Sequence, residues 1–391
     1  MQPIDGPLRG LRVLDLSRLL PGPFATLVLA DMGAAVDKLE DASGGDYLRH
    51  MPPQVAGEAA AFQALNRNKR SLVLDLKQPA GRDAFLRVLP RYDVLFEQFR
   101  PGVLARLGLA PSTLLEARPG LVVCSLTGYG QQGPLAARAG HDLNYLATSG
   151  LLGAQGPVGA PPQVPSFQLA DVSGGLWSVI AILGALRERD RTGQGAHLDV
   201  SMTDGLSGFA IPALTAALAG QATRRGDDTL SGGIAPYGVY ETRDGGFVTL
   251  AALEPKFFLA FAALVGLEAD MGALVPGPHQ GPLKARIAAI FREKTRAEWA
   301  DVAARHDVCV APVLAPEELR QSPHHVARGL VFDLETPRGE APQLRLPVTP
   351  AATFAPPPRM GEHTREILEE GGLSGVEIDA LLASGAARGP A

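Results

Sequence analysis

The residues best suited to chemistry fall in two short stretches, thirty positions apart. Arg138-Ala-Gly-His-Asp-Leu-Asn-Tyr145 sets an imidazole, His141, beside a carboxylate, after a glycine-rich run, Thr127-Gly-Tyr-Gly-Gln-Gln-Gly-Pro134. Gln168-Leu-Ala-Asp-Val-Ser-Gly-Gly175 sets Asp171 ahead of a Ser-Gly-Gly turn that opens an apolar helix, Leu176 to Leu186. An imidazole and a carboxylate facing across a pocket can carry a proton from one face of a carbon to the other. Both residues also have plainer uses. A His-Asp pair is commonly a local hydrogen bond, and an aspartate at this place can cap the helix that follows.

The elements around them read as a parallel α/β fold. Leu11 to Ser17 is a short buried strand, Leu20-Pro-Gly-Pro-Phe24 turns the chain into a helix over Ala25 to Met32, and Ala34 to Leu39 is a second strand. Strand, helix, strand at this spacing is the βαβ unit. The first turn lacks Gly-x-Gly-x-x-Gly, which argues against a nicotinamide dehydrogenase. A loose connection over residues 41 to 60 leads into Asn66-Arg-Asn-Lys-Arg-Ser-Leu-Val-Leu-Asp-Leu-Lys77, then a helix (Pro79 to Leu89), a strand (Tyr92 to Phe96) and Glu97-Gln-Phe-Arg-Pro-Gly102. Each basic residue here is ordinarily a solvated rim. As a set, Arg67, Lys69, Arg70, Lys77, Arg100 and Arg106 cluster near strand ends, where open parallel sheets bind ligands. Guanidinium and ammonium groups there point to an anion site.

Past the two stretches, a helix over 174–188 and a strand, Ala196 to Val200, precede an apolar helix reaching Leu218. The texture changes near residue 225. A β-hairpin over Tyr237 to Leu250 turns on Asp-Gly, a helix follows Leu253-Glu-Pro-Lys-Phe-Phe258, residues 283 to 304 are helical, and Val308 to Leu314 is a strand. That pattern is a smaller α+β domain. Pro density rises from about residue 345, and Gly361 to Glu370 is a capped helix.

Composition narrows the field. A formal charge of −5 with interspersed signs argues against nucleic acid as the partner. No apolar run reads as long enough to cross a bilayer, so no membrane is expected. The first seven residues lack the basic-then-apolar layout of a secretion signal, and the tail lacks a Ser-Lys-Leu address. Two cysteines, Cys124 and Cys309, each in a β-like run, read as inert core thiols of a reducing compartment, and the expected location is cytoplasmic. His324 and His325 have no second ligand cluster nearby and read as surface; His197 reads as structural, and no metal is expected.

Taken in order, several strings resemble the α-methylacyl-CoA racemases of the wider class III CoA-transferase (CaiB/BaiF) superfamily. They are Leu19-Leu-Pro-Gly-Pro-Phe24, Lys69 to Lys77, Phe99-Arg-Pro-Gly102, Ala139 to Leu146, Leu169-Ala-Asp171, Gly232-Gly-Ile-Ala-Pro-Tyr237 and Cys309-Val-Ala-Pro-Val-Leu314. The resemblance spans nearly the whole chain. It implies a Rossmann-like large domain with a parallel sheet, built from residues 1–205 and a returning segment, 331–391, with a small α+β domain over 225–330. It also implies an interlocked homodimer. The substrate would be an acyl-CoA thioester, and coenzyme A would enter only as part of that substrate, with no other cofactor.

By motif, coenzyme A would contact Leu74, Asp75, Leu76, Lys77, Gln98, Phe99, Arg100, Arg106, Gly140, Asp142, Leu143, Asn144 and Tyr145. His141 and Asp171 match the racemase acid/base pair, and Glu254 matches a glutamate lining the same pocket. Two departures stand out. Asp41 occupies a place where racemases tend to carry an arginine for the adenosine end, leaving Arg49 or Lys38 to substitute or the contact to be lost. The stretch Gly44 to Asn66 is longer than in animal racemases and is similar to bacterial CoA-transferases.

The implied chemistry follows from the thioester. Its carbonyl oxygen can accept the charge left by α-proton abstraction, so the site needs a base, an acid on the opposite face, and a donor for the oxygen. His141 and Asp171 fill the first two roles, and burial raises the proton affinity of Asp171. The N–H of Asp171 or Val172 is the expected oxygen donor. Glu254 would hold the imidazole in one tautomer. The alternative is an acyl-CoA:carboxylate CoA-transferase, in which Asp171 attacks the thioester through a mixed anhydride to an aspartyl–CoA thioester. His141 favours the racemase. So does Ala251-Ala-Leu-Glu-Pro-Lys256, where formyl-CoA-type transferases carry a run of glycines. A silent CoA-binding protein is a third reading.

Overall fold

A computed structural model describes residues 6–349 and 354–390. The first five residues of the heptapeptide read against a secretion signal, part of the Pro-rich stretch after 345, and the last residue of the tail lie outside them. The chain divides into two units: residues 1–149, 166–209 and 323–391 form one, and residues 150–165 and 210–322 the other.

The first unit is organised on a seven-stranded sheet. In chain order its strands are β1 (Arg12–Asp15), β2 (Ala35–Glu40), β3 (Lys69–Leu74), β4 (Val94–Glu97), β5 (Val122–Thr127) and β6 (Ala196–Ser201). Their spatial order is β3-β2-β1-β4-β5-β6, all parallel. This 3-2-1-4-5-6 arrangement has its switch point between β1 and β4, where a crevice opens at the strands' carboxyl ends. Val13, Leu14, Val94, Leu95, Val122 and Val123 are fully buried, as expected of a parallel sheet covered on both faces. A two-residue strand, Ala387–Arg388, adds antiparallel to β3, so the carboxyl-terminal segment closes the sheet's edge. Two helices just before it, Thr364–Glu370 and Gly375–Ala383, bury Ile367, Leu368, Ile378 and Leu381 in the same apolar core as Leu72, Leu74 and Phe85.

Three helices bear on the site: α1 (Pro21–Asp31), α2 (Asp142–Thr148) and α3 (Leu169–Thr192). Helix α1 starts at Pro21, earlier than expected, because proline's fixed φ suits a first helical position. Helix α3 also starts early, at Leu169. Ser173-Gly-Gly175 therefore lies inside it and makes no turn. The glycines serve packing: a Cβ on Gly175 would sit 2.8 Å from Pro21 O and 2.9 Å from Phe24 Cδ1, and one on Gly174 would sit 2.6 Å from Met202 Cγ. By length and composition α3 is apolar enough to cross a membrane, which the sequence was not expected to offer: it has 24 residues, and an 18-residue stretch of it has a mean hydropathy of 1.7. Here it lies against α1, β5 and β6, burying Ala170, Ser173, Gly174, Ser178, Val179 and Ile182.

The second unit holds a three-stranded antiparallel sheet, β7 (Tyr237–Glu241), β8 (Phe247–Ala251) and β9 (Val310–Pro312), packed with α4 (Pro255–Val265), α5 (Gln280–Phe291) and α6 (Arg296–Arg305). Phe258, Phe261, Phe291 and Trp299 fill its core. The expected helix over 283–304 is two helices, separated where Thr295 caps α6 by accepting the Glu298 N–H. The expected helix reaching Leu218 is likewise broken near Ala210. Cys124 is fully buried in β5, whereas Cys309 is only half-buried and precedes β9.

Candidate active site

Two helix starts meet in the first unit. His141 is the extended residue just ahead of α2, and its own N–H donates to Asn144 Oδ1 at 3.1 Å. Asp171 is the third residue of α3. Asp142 joins them: its Oδ1 accepts the N–H groups of Ala170 (2.6 Å) and Asp171 (3.1 Å). One carboxylate thus caps the neighbouring helix, satisfying amides that would otherwise lack partners. Asp171 is therefore not the cap of its own helix, and Gln168 at the cap position makes no side-chain bond either. His141 is exposed and Asp171 half-buried, with Asp142 adjoining both.

Burial pushes the Asp171 carboxyl up to about 7, and the negative charge of Asp142 adds to the effect. Tyr145 packs behind the pair. Its hydroxyl donates to Gly140 O at 2.5 Å, and its ring meets Tyr129 edge-on at 5.1 Å. Burial first, and then the charge of Asp171, holds this phenol neutral, at about 12. Two glycines make room for this ring: a Cβ on Gly128 would lie 2.2 Å from Tyr145 Cε1, and one on Gly140 2.7 Å from it.

The expected oxygen donors are already committed. The Asp171 N–H is bonded to Asp142, and the Val172 N–H donates to Gln168 O at 3.1 Å. In the first turn of α2, by contrast, the N–H groups of Asp142 and Leu143 have no partner among the described residues.

The crevice at the switch point is a pocket of about 170 Å³. Leu16, Ser17 and Arg18 follow β1, Leu39 to Asp41 close β2, Leu74 to Lys77 close β3, and Phe99, Val103 and Leu107 follow β4. The structure therefore brings Leu74, Asp75, Leu76, Lys77 and Phe99 together. Gln98 braces the wall, donating to Arg18 O at 2.8 Å and accepting the Gly22 N–H at 3.3 Å. Arg100 and Arg106 are exposed beside it and join no salt bridge among the described residues. The charge of Arg100 reaches Tyr145, which ties this edge of the sheet to the His141–Asp171 region.

The other basic residues have different work. Lys69 begins β3, paired with Val36, so Arg67, Lys69 and Arg70 stand at the amino end of that strand, away from the crevice. Arg67 is buried on Asp31 (2.6 Å) and Lys69 on Asp15 (3.4 Å), while the half-buried Arg70 pairs with Asp37 (2.7 Å). Spacing along the chain does not reveal which end of a strand a cation faces. Arg49 and Lys38 cannot replace the missing arginine at position 41 either. Arg49 is buried against Glu40 (2.7 Å) and Glu58, while Lys38 pairs with Asp46 at 3.0 Å and donates to Ser17 O at 2.7 Å. These buried pairs hold the floor of the pocket, and Asp46 Oδ1 also accepts the N–H of Leu19, a residue with φ of +64°. Arg18, which the sequence reading passed over, is on the wall with its guanidinium 4.6 Å from the Tyr47 ring. Its position directly after the first strand was the available signal.

Glu254 lies in the second unit, exposed at the cap position of α4, and its side chain makes no capping bond. His197 Nε2 is 3.0 Å from Ser125 Oγ. Among the described residues no group of three or more His, Cys, Asp or Glu is spaced to hold a metal.

Comparison with known proteins agrees with this architecture. The profile of CoA-transferase family III matches residues 8–364. Human α-methylacyl-CoA racemase is 40% identical over 383 residues, covering 96% of each chain. The acetyl-CoA:oxalate CoA-transferase of Acetobacter aceti is 36% identical, over 84% of this chain and 86% of its own. The crystal structure of a CaiB/BaiF family protein from Brucella suis superposes with a TM-score of 0.80 at 31% identity, covering 94% of this chain and all (100%) of the other.

Proposed function

Because the chain belongs to CoA-transferase family III, a family of enzymes, we propose that it inverts the α-carbon of 2-methylacyl-CoA thioesters, with His141 and Asp171 as the acid/base pair. The observation that carries this reading is the carboxyl of Asp171, raised to about 7 in the first turn of α3, whose amides are held by Asp142, the residue next to His141. A carboxyl held there can give or take a proton near neutrality.

In one direction neutral His141 takes the α-proton. The C–H electron pair moves into the C–C bond as the carbonyl oxygen becomes an enolate oxygen, and protonated Asp171 then delivers its proton to the opposite face. The reverse direction exchanges the roles. Because the N–H groups of Asp171 and Val172 are spent, the enolate oxygen falls to the free N–H groups of Asp142 and Leu143. Lys77, Arg100 and Arg106 supply positive charge for the phosphates of coenzyme A. The orienting role of Glu254 rests on the family resemblance alone, and Glu254→Gln should slow exchange if it holds.

The homodimer belongs to the same proposal. On the first unit Trp177, Ile180 and Phe209 remain 40%, 56% and 50% exposed, apolar surface that a second copy would cover. The interlocked arrangement predicts a dimer in sedimentation, whereas a monomer at micromolar concentration would oppose it.

The transferase reading is the second, favoured by the likeness to the Acetobacter enzyme. It requires Asp171 ionised as a nucleophile, and a carboxyl raised to about 7 is only partly so at neutrality. Incubating a 2-methylacyl-CoA in D2O separates the two. Deuterium at the α-carbon without any acceptor supports inversion. No exchange, with CoA passing to an added carboxylate through a hydroxylamine-sensitive adduct on Asp171, supports transfer.

A further inference from the structure

We propose that Asp41 is a specificity-determining residue at the nucleotide end of the crevice: it accepts from ribose hydroxyls and disfavours a phosphate on them. The chain would then take the 3′-dephospho form of the CoA ligand at least as readily as the 3′-phosphorylated form. The inference rests on the reading of the crevice as a CoA site.

Asp41 immediately follows β2 and lines the pocket. In a sheet of 3-2-1-4-5-6 order, a carboxylate near the end of the second strand stands where dinucleotide folds bind a ribose diol. Its two oxygens are unequally used. Oδ1 accepts both the Ser43 N–H, at 2.7 Å, and the Ser43 hydroxyl, while Oδ2 has no hydrogen-bond partner among the described residues. Although burial works against the charge, those two bonds, helped by Lys77 and Arg18, hold the carboxyl below its usual range. The group is therefore ionised, fixed in direction, and offers one open acceptor to a hydroxyl, as a charge-assisted bond.

The rest of the wall gives a phosphate little in return. Arg18 and Lys77 are offset by Asp41 and Asp75. The deeper cations, Lys38 and Arg49, are neutralised by Asp46, Glu40 and Glu58. A dianion on the ribose would meet the open Asp41 oxygen with no surplus cation at that end of the crevice, Arg100 and Arg106 lying beyond β4. A diol would gain a partner instead.

The test is calorimetric titration of free coenzyme A and of 3′-dephospho-coenzyme A into the full chain, as wild type, Asp41→Asn and Asp41→Arg. Asn keeps an Oδ1 that can still accept from Ser43, so the turn persists while the charge is lost. Matching melting temperatures will confirm the fold. Wild type should bind the dephospho ligand as tightly as coenzyme A or more tightly. In Asp41→Asn the ratio of the two dissociation constants should move about tenfold toward coenzyme A, the worth of one charge-assisted bond, and Asp41→Arg should move it further. A purely structural role would weaken both ligands alike and leave the ratio still. That outcome, or a measurable wild-type preference for coenzyme A, overturns the assignment and leaves the CoA reading standing. If neither nucleotide binds wild type, both readings fall.

Discussion

Replacing Asp171 with asparagine should make the protein more stable at neutral and alkaline pH while removing its exchange chemistry. In the folded chain this carboxyl is held at about 7, against an ordinary value of 3.8. Well below pH 3.8 both folded and unfolded states carry the proton, and Asp171 has no differential effect. As pH rises from 4 to 7 the unfolded chain ionises while the folded chain keeps its proton, so stability falls progressively through that window. Above 7 the loss is complete. Three decades of proton affinity correspond to about 4 kcal/mol. Partial solvent access and the positive end of α3 both reduce it, the dipole by roughly 0.5–1 kcal/mol. A net gain of about 2 kcal/mol for Asp171→Asn at pH 8 remains. Urea denaturation of both proteins at pH 4 and pH 8 measures it: the gap should be small at pH 4 and open by pH 8. A gap independent of pH, or one favouring the wild type at pH 8, would refute the reasoning that burial raises this carboxyl.

Three further outcomes follow from the same structure. Asp142→Asn keeps an acceptor for the α3 amides but removes the charge beside Asp171, so the alkaline limb of the exchange–pH profile should move to lower pH; a limb that stays in place would mean that burial alone sets it. Arg49→Ala leaves Glu40 buried without its cation and should cost roughly 3–5 kcal/mol in urea denaturation, whereas Lys77→Ala should leave stability unchanged and raise the KM for the thioester about tenfold. Along α3, Gly184→Ala meets nothing within 4 Å and should stabilise by about 0.5–1 kcal/mol, while Gly175→Ala runs into Pro21 O at 2.8 Å and should lower the melting temperature.

Much of the fold was legible because it is locally encoded. The apolar runs of β1, β2 and β4 and the Asp-Gly turn between β7 and β8 stand in the chain itself, and they give the βαβ unit and the hairpin near the right residues. Where the reading slipped, the cause lies far off in sequence. Helix α3 begins at Leu169 because its amides are capped by Asp142, 28 residues earlier, and no local residue announces that. The same contact took the N–H of Asp171 out of the role of oxygen donor. Ser173-Gly-Gly175 looked like a turn because glycine in a helix is costly, and only the neighbouring α1 backbone shows why it is kept. Arg67, Lys69 and Arg70 were grouped with the ligand cations because spacing does not distinguish the two ends of a strand. Their partners Asp31, Asp15 and Asp37 come from other elements, which only register reveals.

The most direct measurement of the central claim uses single enantiomers. Each configuration of a 2-methylacyl-CoA is incubated in D2O with wild type, His141→Ala and Asp171→Ala, and α-deuterium is followed by mass spectrometry. Two groups on opposite faces predict that wild type exchanges both enantiomers, that His141→Ala loses exchange for one, and that Asp171→Ala loses it for the other. If either substitution left both enantiomers exchanging at wild-type rates, or if one substitution alone silenced both while the other changed neither, His141 and Asp171 would not be the paired acid and base.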